Sequence, residues 1–197
     1  MAVTNLFFLT VGLVCISCTL AQWEPWPKPP MWQEKAHMAR YLTHYASWGV
    51  LAAYSPEYGY PFGSVVSISD GLLKNSSGTP YLYLSDNGDT HHNLNHNNSA
   101  GLTLTMSESE ICRRNGLDPL EPLCARMILL GKVVLVTDKK ELNFAKTALF
   151  TRHPAMQYWP KDHGWHVYKL VISGICLLDF YGGATHLPVK DYYASHP

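Results

Sequence analysis

The residues of this chain best suited to chemistry are its histidines, carboxylates and cysteines, and their spacing limits what each can do. His91, His92 and His96 fall together in a polar stretch, where His91 and His96 could ligate a metal if a carboxylate such as Asp89 joined them. Zinc sites draw ligands from firm elements at set spacings, and this stretch holds no cysteine, so a solvated loop is the expectation. His163 and His166 lie beside Asp162 and Trp165 but lack a third ligand in register. His44 falls on a helical pattern, which suits a packing or hydrogen-bonding imidazole. Glu108 and Glu110 are two apart, a spacing that turns them away from each other on a helix. There is no Gly-x-Ser-x-Gly elbow, phosphate-cradling glycine loop or dinucleotide fingerprint. By motif alone, no catalytic constellation emerges.

Two other patterns concern covalent modification. Cys112 and Cys124 bracket a loop-like segment, 113–123, that holds Asn115-Gly116 and two prolines. A disulfide across its base is expected, contributing on the order of 2–3 kcal/mol by restricting the unfolded chain. Cys176 lies in an apolar strand-like run and is expected as a buried free thiol, with an intermolecular bridge as the alternative. Asn75-Ser76-Ser77 and Asn97-Asn98-Ser99 are sequons in polar, turn-rich stretches, so Asn75 and Asn97 are candidate glycosylation sites.

Both modifications depend on the compartment, and the first residues bear on that. Leu6 to Leu20 form an apolar run interrupted by Thr10, Gly12, Ser17 and Thr19, too short for a comfortable membrane span. Thr19 and Ala21 are spaced for signal-peptidase cleavage after Ala21. The segment before the run carries no Lys or Arg, and an uncleaved anchor is the alternative. Residues 1–21 are therefore expected to be a secretory signal, with 22–31 a Pro/Trp-rich segment and 32–197 one domain without a membrane span. Hydrophobic residues are 47% and charged residues 15% of the chain, which marks it as folded. A formal net charge of zero gives no basic field, so nucleic acid is a poor partner. Ten histidines make the charge sensitive to an acidifying compartment.

The elements that must position these residues read mostly as strands. Trp32 to Ala46 has helical spacing; Val50–Tyr54, Ser64–Ser69, Tyr81–Leu84, Gly101–Met106 and Ala125–Val136 read as strands. Asp70-Gly71 reads as the turn that closes the second of these. Asp86 to Ser99 reads as a loop or short surface helix. Asp138 opens a helix to Phe150, with Glu141 placed to complete a capping box. An aromatic, proline-bounded segment follows, His153 to Pro160. Trp165–Ile172 and Gly174–Phe180 read as two strands joined tightly at Ser173-Gly174, and Pro188 to Tyr193 as a turn or two of helix. At least six strands at short spacing with few intervening helices predict a mainly β, α+β domain built on an antiparallel barrel.

Several stretches taken together resemble the CREG family of secreted glycoproteins, the cellular repressors. They are 39–44 with Trp48-Gly49, 67–71, 78–84, 112–119 with 122–124, and most specifically Leu149-Phe150-Thr151-Arg152-His153-Pro154-Ala155-Met156, Trp159-Pro160 and 178–183. The likeness runs from about Ala36 to Tyr193.

The resemblance implies a split β-barrel like that of the flavin-dependent pyridoxamine-phosphate oxidases, assembled as a homodimer, with the flavin pocket filled or remodelled. It implies a secreted or endo-lysosomal protein linked to growth restraint and differentiation, sorted through glycan-dependent or cell-surface receptors, with no settled enzymatic activity. No cofactor is expected. A flavin mononucleotide (FMN) phosphate needs a dense cationic cluster, and Ser64 to Leu73 holds no Arg or Lys while Asp70 would repel it. Arg40 and Arg152 could still converge in space. An FMN-dependent oxidoreductase, or a heme or other small-molecule binder with His153 or His163 as ligand, is the alternative. Arg40, His44, Arg152, His153, Trp159 and Tyr181 are the candidates for the old pocket or the dimer seam. The stretches that carry sequons in family members match 137–139 and 171–173, where this chain has none.

Overall fold

The computed structural model describes residues 26–197, so the expected signal segment, residues 1–21, lies outside the described residues. Six strands form a closed antiparallel barrel: β1 (Trp48–Ser55), β2 (Tyr60–Leu72), β3 (Asn75–Ser85), β4 (Ser99–Thr105), β5 (Arg126–Leu135) and β6 (Trp165–Leu178). Their order is β3-β2-β1-β4-β5-β6, and β3 pairs with β6 to close the ring. A two-residue strand, β7 (Thr185–His186), extends β6 at its far end.

Alternation explains the core. Leu51, Ile68, Leu82, Leu102, Leu104, Met127, Leu129 and Leu170 point inward and are at most 1% exposed. Helix α1 (Lys35–Tyr45) joins the same core through Met38, Ala39, Tyr41 and Leu42. The Pro/Trp-rich segment lies along α1: Trp26 meets Tyr41 edge-on at 5.5 Å, and the Tyr41 hydroxyl donates to the Pro27 carbonyl at 2.6 Å. Helices α2 (Asp89–His96) and α3 (Glu110–Arg114) sit in the two polar connections. Helix α4 (Lys139–Arg152) packs chiefly along β2 and reaches β3 and β6, where Tyr81, Val167, Ala145, Leu149 and Met156 form a second, smaller core. Helix α5 (Val189–Ala194) returns to α1 and buries Tyr192.

Three local expectations are corrected. Ser173-Gly174 is not a turn: β6 runs unbroken from Trp165 to Leu178, and the extra residue Ser173 is a bulge opposite Leu130 and Gly131. Asp70-Gly71 does not close a strand either: β2 continues past a register shift there, and the reversal occurs at Leu73-Lys74. At the start of α4, Asp138 accepts from the Glu141 amide at 2.8 Å, but the Glu141 carboxylate never returns to complete the box. It turns to Lys169, 2.7 Å away, and to the Tyr81 hydroxyl at 3.2 Å, where burial and this carboxylate push the phenol up to about 12.

Cys112 and Cys124 stand in disulfide geometry with Cα atoms 5.5 Å apart, closing the α3 loop. Cys176 is a free thiol that is half-buried rather than buried, because its side chain points to the outer face of the barrel.

Candidate functional site

Four of the six candidate residues meet where the end of α1 abuts the β2–β3 hairpin. Helical spacing puts Arg40 and His44 on one face of α1, one turn apart. Both are buried, as are Asp70 and Thr43 beside them. Nδ1 of His44 lies 2.8 Å from Asp70 Oδ1, and Nε2 lies 3.3 Å from the Leu73 carbonyl. The other Asp70 oxygen accepts from the Ser76 hydroxyl and from the Gly78 amide at 3.1 Å. Arg40 donates to the Ser76 hydroxyl at 2.8 Å and to the Ser195 carbonyl at 3.0 Å, and its guanidinium sits 5.3 Å above the Tyr192 ring. The Tyr192 hydroxyl donates to the Gly78 carbonyl at 2.6 Å and lies 2.8 Å from that of Thr43. Full burial raises the Tyr192 phenol far above its ordinary range.

Arg152 and His153 enter from the end of α4. The Arg152 guanidinium donates to the carbonyls of His44 and Ala46, at 2.6 and 2.7 Å. These are acceptors at the C-terminus of α1 that the helix leaves unpaired, where a cation is favoured. Burial lowers the Arg152 pKa, while Asp70 and Glu108 act to hold its charge. Glu108 accepts from the Ser47 amide and hydroxyl at 2.7 and 2.5 Å, and burial raises its pKa against those bonds. His153 Nε2 donates to the Ile68 carbonyl at 2.9 Å, and burial favours its neutral form.

The other two candidates lie elsewhere. Trp159 is half-buried in an aromatic group with Trp165 at 4.6 Å and Tyr83 at 6.1 Å. Tyr181 is exposed and donates to Glu121 at 2.9 Å, a bond that raises its pKa. The sequon residues Asn75 and Asn97 are both exposed, at the hairpin reversal and at the end of α2.

The histidine-rich stretch forms the short helix α2, and its histidines turn to separate partners. His91 pairs with Asp86 at 3.4 Å rather than with Asp89, and His166 takes the other Asp86 oxygen at 3.2 Å. His96 lies against the Tyr54 ring instead. Among the described residues, no group of three or more His, Cys, Asp or Glu could hold a metal ion.

Sequence reasoning missed Asp70, Ser76, Gly78 and Tyr192 as members of the polar site. Only one cue was available, a carboxylate directly after the strand-like run Ser64–Ser69. Arg40 and Arg152 both reach the residues around the His44–Asp70 pair, but each is committed to partners within the chain.

The sequence pattern of the family described as CREG, beta-barrel, matches residues 30–194. Protein CREG1 of Gallus gallus is 42% identical over 174 residues, covering 86% of this chain and 89% of the relative. Protein CREG1 of Homo sapiens is 41% identical over 170 residues, covering 85% and 76%. Among solved structures, a heme binding protein from Mycobacterium smegmatis superposes with a TM-score of 0.63 at 23% identity, over 86% of this chain and 63% of that one. A Clostridium acetobutylicum protein of the pyridoxinephosphate oxidase family superposes with a TM-score of 0.56 at 14% identity, over 81% and 99%. Those two likenesses concern the fold, a split β-barrel with flanking helices; the sequence likeness spans nearly all of that barrel, and the chain belongs to the CREG family.

Proposed function

We propose that this protein is a secreted or endo-lysosomal glycoprotein that acts in growth restraint and differentiation by recognising a partner or receptor, without turning over a substrate. The observation that carries the reading is the engagement of the cationic cluster. A cofactor phosphate requires unspent, converging donors. Here Arg40 is held by Ser76 and Ser195, Arg152 by two carbonyls at the end of α1, His44 by Asp70 and Leu73, and His153 by Ile68. The one carboxylate at their centre, Asp70, is fully buried. These residues do not fit an FMN phosphate. The test is an absorbance spectrum across the visible range on protein purified from a secreting host, before and after addition of FMN. A flat spectrum with no retained flavin agrees with the reading; a stoichiometric flavin band makes the protein an oxidoreductase and ends it.

The partner surface begins with a second copy of the chain. The registers of β2, β1, β4, β5 and β6 align Val65, Val50, Thr103, Ile128 and Cys176 in one outward row, and Gly63, Ala52, Gly101, Leu130 and Gly174 in the next. Val65 is 73% exposed and Leu130 47%. Neither row contains a charge, and glycines in three strands allow a flat partner to approach closely. An uncharged, gently curved face suits the same face of another copy about a two-fold axis. Glycans on Asn75 and Asn97 supply the handle for glycan-dependent sorting, and loss of one glycan's mass in each of Asn75→Gln and Asn97→Gln is the check on that assignment.

A further inference from the structure

The donors around Asp70 amount to a binding site for an oxyanion. Two side chains and one main-chain amide converge on a single carboxylate: the His44 imidazole, the Ser76 hydroxyl and the Gly78 N–H. Gly78 is held at φ +73°, and a Cβ there would meet the Arg40 guanidinium carbon at 2.7 Å. Glycine therefore serves two ends, turning the amide toward Asp70 and letting Arg40 lie against the turn. Arg40 extends the cradle by bonding Ser76, and its Nε is buried without a partner. Arg152 holds the His44 carbonyl. Three donors thus meet one buried carboxylate, which the chain itself contributes from near the end of β2.

We propose that this cradle is an oxyanion-binding site whose resident ligand is the chain's own Asp70 carboxylate, so that emptying position 70 creates a specific site for a small free carboxylate. Buried donors deprived of the acceptor they converge on destabilise a fold, and a ligand that binds only the folded state restores stability in proportion to its occupancy. Alanine at position 70 removes three heavy atoms, the size of one formate ion. Asparagine leaves the space filled and offers a neutral amide instead of an anion. The anion class follows from the geometry of donors built to meet two oxygens on one carbon.

The experiment uses the full chain with Asp70→Ala and Asp70→Asn, melted in sodium formate and in sodium chloride at equal ionic strength. Asp70→Ala is expected to melt roughly 10 °C below the parent in chloride, the size expected when several buried donors lose their acceptor in a domain of this length. Formate is expected to recover at least half of that loss with saturating dose dependence, and to leave the parent and Asp70→Asn at their chloride values. Butyrate, too long for the vacated space, is expected to recover nothing. An Asp70→Ala protein that gains no more from formate than the parent overturns the proposal. So does one that stays unfolded in both salts, or an Asp70→Asn protein that gains as much as Asp70→Ala.

Discussion

Arg152, the last residue of α4, closes the C-terminus of α1 by donating to the carbonyl oxygens of His44 and Ala46. One guanidinium thus satisfies two acceptors that the helix cannot satisfy itself, and it does so across more than a hundred residues of sequence. Both bonds leave one nitrogen, Nη1, which the long side chain carries to the helix end; the shorter lysine stem holds its ammonium nearer its own backbone.

Arg152→Ala should therefore cost about 3 kcal/mol of unfolding free energy, because it leaves two buried carbonyls unpaired and Glu108 without its nearby cation. Arg152→Lys should recover less than half. Urea denaturation of the three proteins reads both numbers, and an alanine variant within about 0.5 kcal/mol of the parent would show that water replaces the guanidinium freely.

His153 gives the fold a dependence on acidity whose sign is fixed. Burial lowers its folded pKa below the ordinary histidine value of about 6.5, so the unfolded chain takes up the proton first. Its contribution is fully present above about pH 6.5 and is lost as pH falls from there toward the folded value. Glu108 runs the other way: its raised folded pKa gives a contribution that is present below the unfolded pKa and lost as pH rises through the folded one. Melting curves of His153→Gln should show a flatter approach from neutral to mildly acidic pH than those of the parent. Parallel curves would mean that His153 protonates in place.

Tyr192→Phe removes one hydroxyl from a fully buried ring, leaving the Gly78 carbonyl without that donor. The expected loss is about 1–2 kcal/mol. Tyr192→Ala, which also removes the ring under Arg40, should lose about 4 kcal/mol. Similar losses for both would place the whole effect in the hydroxyl.

Replacing Cys112 and Cys124 by alanine should lower stability by about 2–3 kcal/mol, through freedom returned to the unfolded chain. A double variant that melts with the parent would show that the α3 loop is held by its hydrogen bonds alone.

Leu130→Asp and Val65→Asp place a charge in the uncharged rows of the barrel exterior. Each should convert a dimer to a monomer in sedimentation without lowering the melting temperature of dilute protein. A parent that sediments as a monomer removes the self-association proposal outright.

The alternation of apolar residues carries much information about this fold. The strands around Leu82, Leu102 and Leu129 follow it, and so does the helix that buries Met38, Ala39 and Leu42. Legibility fails where a distant partner outweighs a local preference. Asp70-Gly71 is a strong turn pair in isolation, but His44 and Gly78 hold Asp70 inside a continuing strand. Ser173-Gly174 is likewise absorbed as a bulge because β5 pairs with β6 on both sides of it. Glu141 sits at capping-box spacing, yet Lys169 offers a stronger partner. At the site, the basic residues were visible because their types announce charge. Tyr192 was not, since nothing near Pro188 to Tyr193 indicates which distant helix that ring will enter.

The position of Tyr192 also ties together segments far apart in the chain. It lies 149 residues beyond Thr43, and the Ser195 carbonyl lies 155 beyond Arg40, yet these contacts complete the buried polar centre. Neither α1 nor α5 can come away without stranding polar groups of the other. Amide hydrogen exchange in the two helices therefore reports one opening event rather than two.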